Sequence, residues 1–158
     1  MIALAALLFA TAFPSTSKTS WMRPESFHLI VGMSRDEVVK SLADRGWTTK
    51  KGDDDDHLVI DYADDKAITL QFRRNRLQSI RFALYLFLPD AHTAFDEEKA
   101  FLRESLGEPK KLRSKSVLLY DGVLPNVMVV VSANPKSENG QKGLGILVVR
   151  YYDPVIVR

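Results

Sequence analysis

Apolar residues recur along this chain in two rhythms. The first is helical: Val38, Val39, Leu42 and Ala43 form one stripe at a spacing of three to four. Just ahead of it stand Ser34 and Glu37, the two members of a capping box. The serine oxygen can accept from the amide three residues on, and the glutamate reaches back to the serine amide. Met33 and Val38 sit where a hydrophobic staple would fix the entry of the chain. Arg45 suits the last turn, and Gly46 can take the left-handed conformation that ends a helix. The spacing predicts a helix over Arg35–Arg45, with Trp47 beyond it as a plug of the core.

The second rhythm has period two. Leu58, Ile60 and Tyr62 alternate with Val59 and Asp61. Ile68, Leu70 and Phe72 alternate with Thr69, Gln71 and Arg73. Ile80, Phe82 and Leu84 alternate with Arg81 and Ala83. Such runs are strands with one buried and one wet face. Asp64-Asp65 and Arg74-Asn75 supply turn residues between them. Links this short join antiparallel neighbours, because a parallel crossover takes a dozen residues or more.

Helix and strands then recur. Pro89 and Asp90 break the third run, and a second helix is expected from Ala91 or Ala94 to Leu106. Phe95, Leu102 and Leu106 form its stripe, widened by Ala94 and Phe101. Asp96, Glu97 and Glu98 suit its N-terminal turn, and Gly107 and Pro109 end it. Strands are expected at Val117–Tyr120, Val127–Ala133 and Leu144–Tyr152, with a polar loop over 134–143. The expected fold class is α+β: two tandem helix-plus-three-antiparallel-strand units, residues 30–88 and 89–158, with the helices on one face of antiparallel sheet. Neither unit covers its own apolar face, so the two should pack as one domain. Met128 and Val130 oppose Val127, Val129 and Val131, so these strands are apolar on both faces. They should lie centrally or face a partner.

Residues 1–12 are apolar after the first Met and end in Ala10-Thr11-Ala12, the pattern of a secretory signal peptide, although no Lys or Arg precedes the run. It is too short to cross a membrane as a helix. Residues 13–29, rich in Ser, Thr and Pro up to Pro24, read as a linker. The expected location is therefore periplasmic or secreted. With 22 basic and 20 acidic residues the net charge is +2, which argues against nucleic acid held by a broad positive field. The absence of cysteine excludes disulfides, zinc thiolates, iron–sulfur clusters and a thiol nucleophile.

The segment Gly32-Met33-Ser34, followed by Glu37-Val38, a short helix, a glycine and antiparallel strands, resembles the SmpA/OmlA (BamE-like) small envelope protein family. The tandem arrangement is similar to the β-lactamase inhibitory protein fold. The resemblance implies an exported, non-catalytic protein that acts by binding another protein. The lipid-acceptor cysteine of the envelope lipoproteins is missing, and no binding residue carries over from either family.

The remaining motifs point the same way. Asp53-Asp54-Asp55-Asp56-His57 lacks the alternating ligands and fixed glycine of a calcium loop, and reads as a solvated acidic turn, with a hard cation as the lesser alternative. His28, His57 and His92 have no metal-ligand spacing, and no nucleophile elbow of the G-x-S-x-G type occurs. No enzyme activity, cofactor or metal is expected. Arg73, Arg74, Arg76 and Arg81 gather on one hairpin, and Lys110, Lys111, Arg113 and Lys115 precede the fourth strand. Together with the aromatics, which concentrate in binding hot spots, the hairpin suggests a partner-binding set of Trp47, Tyr62, Tyr151, Tyr152, Arg73, Arg74 and Arg76. The expected function is an exported interaction module that binds a protein through its sheet face. The alternative is a small-ligand or lipid-binding envelope domain.

Overall fold

A computed structural model of the chain describes residues 17–109, 111–114, 116–121, 125–133 and 143–155, with 111–114 as backbone. The signal-like segment 1–12, most of the loop expected over 134–143, and Ile156-Val157 lie outside the described residues.

The first helix, α1 (Arg35–Ala43), begins where its capping box predicts. Ser34 Oγ accepts from the Glu37 amide, and the Glu37 carboxylate accepts from the Ser34 amide at 2.7 Å. These bonds from Ser34 hold the Glu37 carboxyl below its ordinary pKa. Gly46 takes a positive φ of 76°, which lets the Trp47 amide return to the Leu42 carbonyl at 3.0 Å and ends the helix. The second helix, α2 (Leu88–Leu106), starts on Pro89 in its first turn, well ahead of the expected Ala91.

The strands are β1 (Thr49–Lys51), β2 (His57–Ala63), β3 (Lys66–Arg73), β4 (Arg76–Phe87), β5 (Lys111–Ser114), β6 (Val117–Tyr120), β7 (Asn126–Ala133) and β8 (Leu144–Tyr152). They form one antiparallel sheet in the order β1-β2-β3-β4-β8-β7-β6-β5. The expected two tandem helix-plus-three-strand units are therefore not what the chain builds. Nine of the twelve residues of β4 pair with β8, from Ser79↔Tyr152 to Phe87↔Leu144, so one hydrogen-bonded ladder runs uninterrupted through the middle of the molecule. Two edge strands, β1 and β5, were not expected. They are short, Lys-bearing and without apolar alternation, so periodicity is blind to them.

One face of the sheet carries the core. Leu58, Ile60, Ile68, Leu70, Ile80, Phe82, Leu147, Val149, Val129 and Leu118 are buried there, beneath α1 (Val38, Leu42) and α2 (Ala91, Ala94, Phe95, Leu102). Gly145 lets α2 approach β8: a Cβ there would stand 2.9 Å from both Leu88 Cα and Ala91 Cβ.

Residues 17–29 do not behave as a linker. Thr19, Met22, Pro24, Phe27 and Leu29 are all buried. A turn of 3₁₀ helix at Pro24–Phe27 directs Phe27 into a ring cluster with Trp47, Tyr62 and Phe82, and Trp21 stacks on Tyr62 at 5.3 Å. Full burial of a side chain the size of Met or Phe stabilises by roughly 1.5–3 kcal/mol, so this segment belongs to the core. Its Ser and Thr content concealed three large apolar residues at irregular spacing.

Candidate functional site

Period two places every second strand residue on the face opposite the helices, and pairing aligns these residues into rows. The central row runs Lys50, Val59, Thr69, Arg81, Arg150, Met128, Leu119, each paired with the next across neighbouring strands. One neighbouring row runs Ala67, Ala83, Val148, Val130, Val117. The other runs His57, Gln71, Ser79, Tyr152, Asn126. This open face has two chemistries. Over β6–β8 it is aliphatic, with Val117, Leu119, Met128, Val130 and Val148 each partly exposed. Over β3–β4 it is polar, centred on Arg81 and Arg150.

Arg150 is held in place. Its Nη2 donates to Gln71 Oε1 at 3.1 Å and to Ser79 Oγ at 3.3 Å, and its guanidinium stands 5.5 Å from the Tyr152 ring centre. Ser79 Oγ also donates to Gln71 Oε1.

A second feature lies on the helix side. An apolar cleft of about 590 Å³ opens between the N-terminal segment and the end of α2, lined chiefly by Leu29, Ile30, Phe101, Leu106, Val127 and Tyr151. Beside it, Arg23 Nη2 donates to Glu98 Oε2 at 2.8 Å, its Nη1 donates to the Met22 carbonyl at 2.9 Å, and its guanidinium lies 3.9 Å from the Phe101 ring centre. The Glu98 side chain is 0% exposed, and its Oε1 makes no hydrogen bond. Burial raises the Glu98 pKa, and the nearby Arg23 charge only partly opposes it. Tyr151 Oη donates to the Met22 carbonyl at 3.2 Å, and burial pushes its phenol pKa far up.

The partner-binding set read from sequence does not assemble into one patch. Trp47 and Tyr62 are partly buried in the ring cluster with Trp21 and Phe27, and Tyr151 is buried against the helix side. Tyr62 and Tyr151 close the core because their positions on β2 and β8 share its face, and Trp47 reaches it from the segment between α1 and β1. Of the four aromatics in the set, Tyr152 lies on the open face, one residue out of phase with Tyr151. Arg74 and Arg76 are exposed at the β3–β4 turn, and Arg73 pairs with Arg76 across it. Arg76 donates to the Gly32 carbonyl at 3.1 Å, so it ties the hairpin to the start of α1.

Two carboxylates of the acidic run, those of Asp54 and Asp55, have local partners. His57 Nδ1 bonds Asp54, Lys51 pairs with Asp55, and Arg35 donates to the Asp55 carbonyl at 2.5 Å. The His57 hydrogen bond holds the Asp54 carboxyl low. Among the described residues no group of three or more His, Cys, Asp or Glu side chains is placed to hold a metal ion.

Sequence reasoning missed Arg150, Arg23 and Glu98 as site residues. Arg150 was legible as the wet position between Val149 and Tyr151. Glu98 was not, because a glutamate in an acidic run is ordinarily read as solvated. No family model matches the chain, and no curated protein or solved structure matches it significantly. Among the described residues no helix is long and apolar enough to cross a membrane.

Proposed function

We propose that this chain is an exported, non-catalytic interaction module of the bacterial cell envelope that binds a protein partner through the open face of its sheet. The observation that carries the reading is the aliphatic half of that face. Val117, Leu119, Met128, Val130 and Val148 are contiguous across three strands and partly exposed, whereas a sheet face meant for water alone alternates to polar residues. Contiguous exposed apolar surface is the usual mark of an interaction site. A partner's apolar anchors would gain about 25 cal/mol for each Å² of apolar surface buried, with the arginines beside them fixing register. The helix start at Gly32–Val38, which resembles that of the SmpA/OmlA proteins, supports the same class of function.

The test is affinity isolation from envelope extract with three forms of the protein. The wild type and an Ala100→Glu control on the outer face of α2 should retain the same specific partner, and Val130→Glu should lose it. Equal retention by Val130→Glu would remove the open face from the account.

A second reading rests on the cleft. Its rim exposes Ile30 (70%) and Phe101 (43%), and its volume suits a small apolar ligand. Saturable enhancement of an anilinonaphthalene sulfonate dye, lost in Leu106→Arg, would support it; non-saturable enhancement unchanged in that variant would dismiss it.

A further inference from the structure

Arg81 and Arg150 stand directly opposite each other on β4 and β8. Cross-strand neighbours have Cβ atoms about 4.5–5.5 Å apart, and like charges so placed destabilise a sheet. A carboxylate between or beside them would remove that cost. Asp61, near the β1–β2 edge, is paired with Lys50 at 2.8 Å. None of the ion pairs among the described residues involves Arg81 or Arg150.

The donors are equally unspent. A guanidinium has five N–H groups. In Arg150 the Nη2 group bonds Gln71 and Ser79, which leaves Nε and Nη1 without an acceptor among the described residues. The Arg81 side chain makes no hydrogen bond among the described residues, although it is partly buried in the centre of the sheet. One arginine is thus clamped and the other is not. Both stand in one row with Met128 and Leu119 and beside Val148 and Val130.

We propose that Arg81 and Arg150 form a carboxylate-binding site at the centre of the open face, which recognises a polypeptide segment carrying Asp or Glu beside aliphatic side chains. The planar fork of arginine matches a carboxylate in a bidentate pair. The aliphatic rows over β6–β8 take the flanking side chains. A polypeptide fits this face better than a polyanion, because the cationic centre is bordered by valines and a methionine, where a nucleic acid would need a longer basic track. The proposal rests on the sheet-face reading of function and specifies its partner.

The probe is the peptide acetyl-Val-Glu-Val-Glu-Val-amide, titrated into the isotopically labelled protein and followed by NMR. Its neutral counterpart, acetyl-Val-Gln-Val-Gln-Val-amide, is the comparison. The acidic peptide should shift the Arg81 and Arg150 Nε–H signals and the Met128, Val130 and Val148 methyls, and bind at least tenfold more tightly than the neutral one. Arg81→Gln and Arg150→Gln should each weaken it about tenfold and leave the neutral peptide unaffected. Arg81→Gln should not lower the melting temperature, since it relieves repulsion; a clear drop would mark Arg81 as structural and overturn the proposal.

Equal binding of both peptides on the face would overturn the carboxylate site while leaving the sheet-face function standing. Shifts confined to the cleft on the helix side would overturn both. Tighter binding to phosphatidylglycerol vesicles or to a single-stranded oligonucleotide than to the acidic peptide would replace the polypeptide partner by a polyanionic one.

Discussion

Arg23 donates to Glu98 at 2.8 Å across seventy-five residues of chain, and through that bond the N-terminal segment is fastened to the middle of α2. The arginine is 13% exposed and the glutamate fully buried. Breaking such a pair from one side leaves the other charge stranded in a poorly solvating interior. Arg23→Met should therefore destabilise the protein by about 3 kcal/mol at neutral pH. Arg23→Met/Glu98→Leu should recover most of that loss, because no buried charge is left. Urea denaturation of the four proteins gives the coupling directly.

The same pair sets a pH dependence. Burial, the largest influence, raises the Glu98 pKa above the ordinary 4.5, against the smaller opposing pull of Arg23. The folded state therefore holds a proton on Glu98 at pH values where the unfolded chain has released it. Its contribution to stability is fully present below pH 4.5 and is lost as pH rises through the folded-state pKa. In Glu98→Gln the downward slope of stability between pH 4.5 and that point should flatten, as read by urea denaturation in steps from pH 4 to pH 8. An unchanged slope would show that Glu98 titrates normally.

Gly145 is required by packing and not by backbone conformation. Leu88 and Ala91 on α2 already touch the space its Cβ would fill. Gly145→Ala should cost about 1–3 kcal/mol through displacement of the helix. Gly145→Val should cost more, and thermal melting of both variants ranks them.

Ser34→Ala removes the acceptor of the Glu37 amide and half of the capping box. A loss of about 1 kcal/mol is expected, with earlier amide exchange at Glu37 and Val38 than elsewhere in α1.

Wet-and-dry alternation made β2, β3 and β4 legible, and apolar runs bounded by turn residues made β6, β7 and β8 legible. The helix ends were legible where chemistry marks them: Ser34 with Glu37, Gly46, Gly107. Sheet organisation was not. The pairing of β4 with β8 joins residues 57 to 73 positions apart, and the two strands carry no complementary mark that a single sequence displays. Counting three strands on each side missed β1 and β5, whose stability comes from their neighbours and not from apolar alternation. Of the candidate binding residues, Arg74 and Arg76 are exposed and Tyr152 and Arg73 are partly exposed. Trp47, Tyr62 and Tyr151 pack in or against the core, which one sequence does not show because an aromatic serves a core and an interface equally well.

The central claim is that a protein partner docks on the open sheet face. The most direct measurement places a photo-crosslinking amino acid at Val130 in the chain expressed in its own cells, and at Ala100 on α2 for comparison. The account predicts a discrete crosslinked protein from position 130 that vanishes when Met128→Glu is added, and none from position 100. Crosslinking of equal strength from both positions, or a position-130 adduct that survives Met128→Glu, would contradict it.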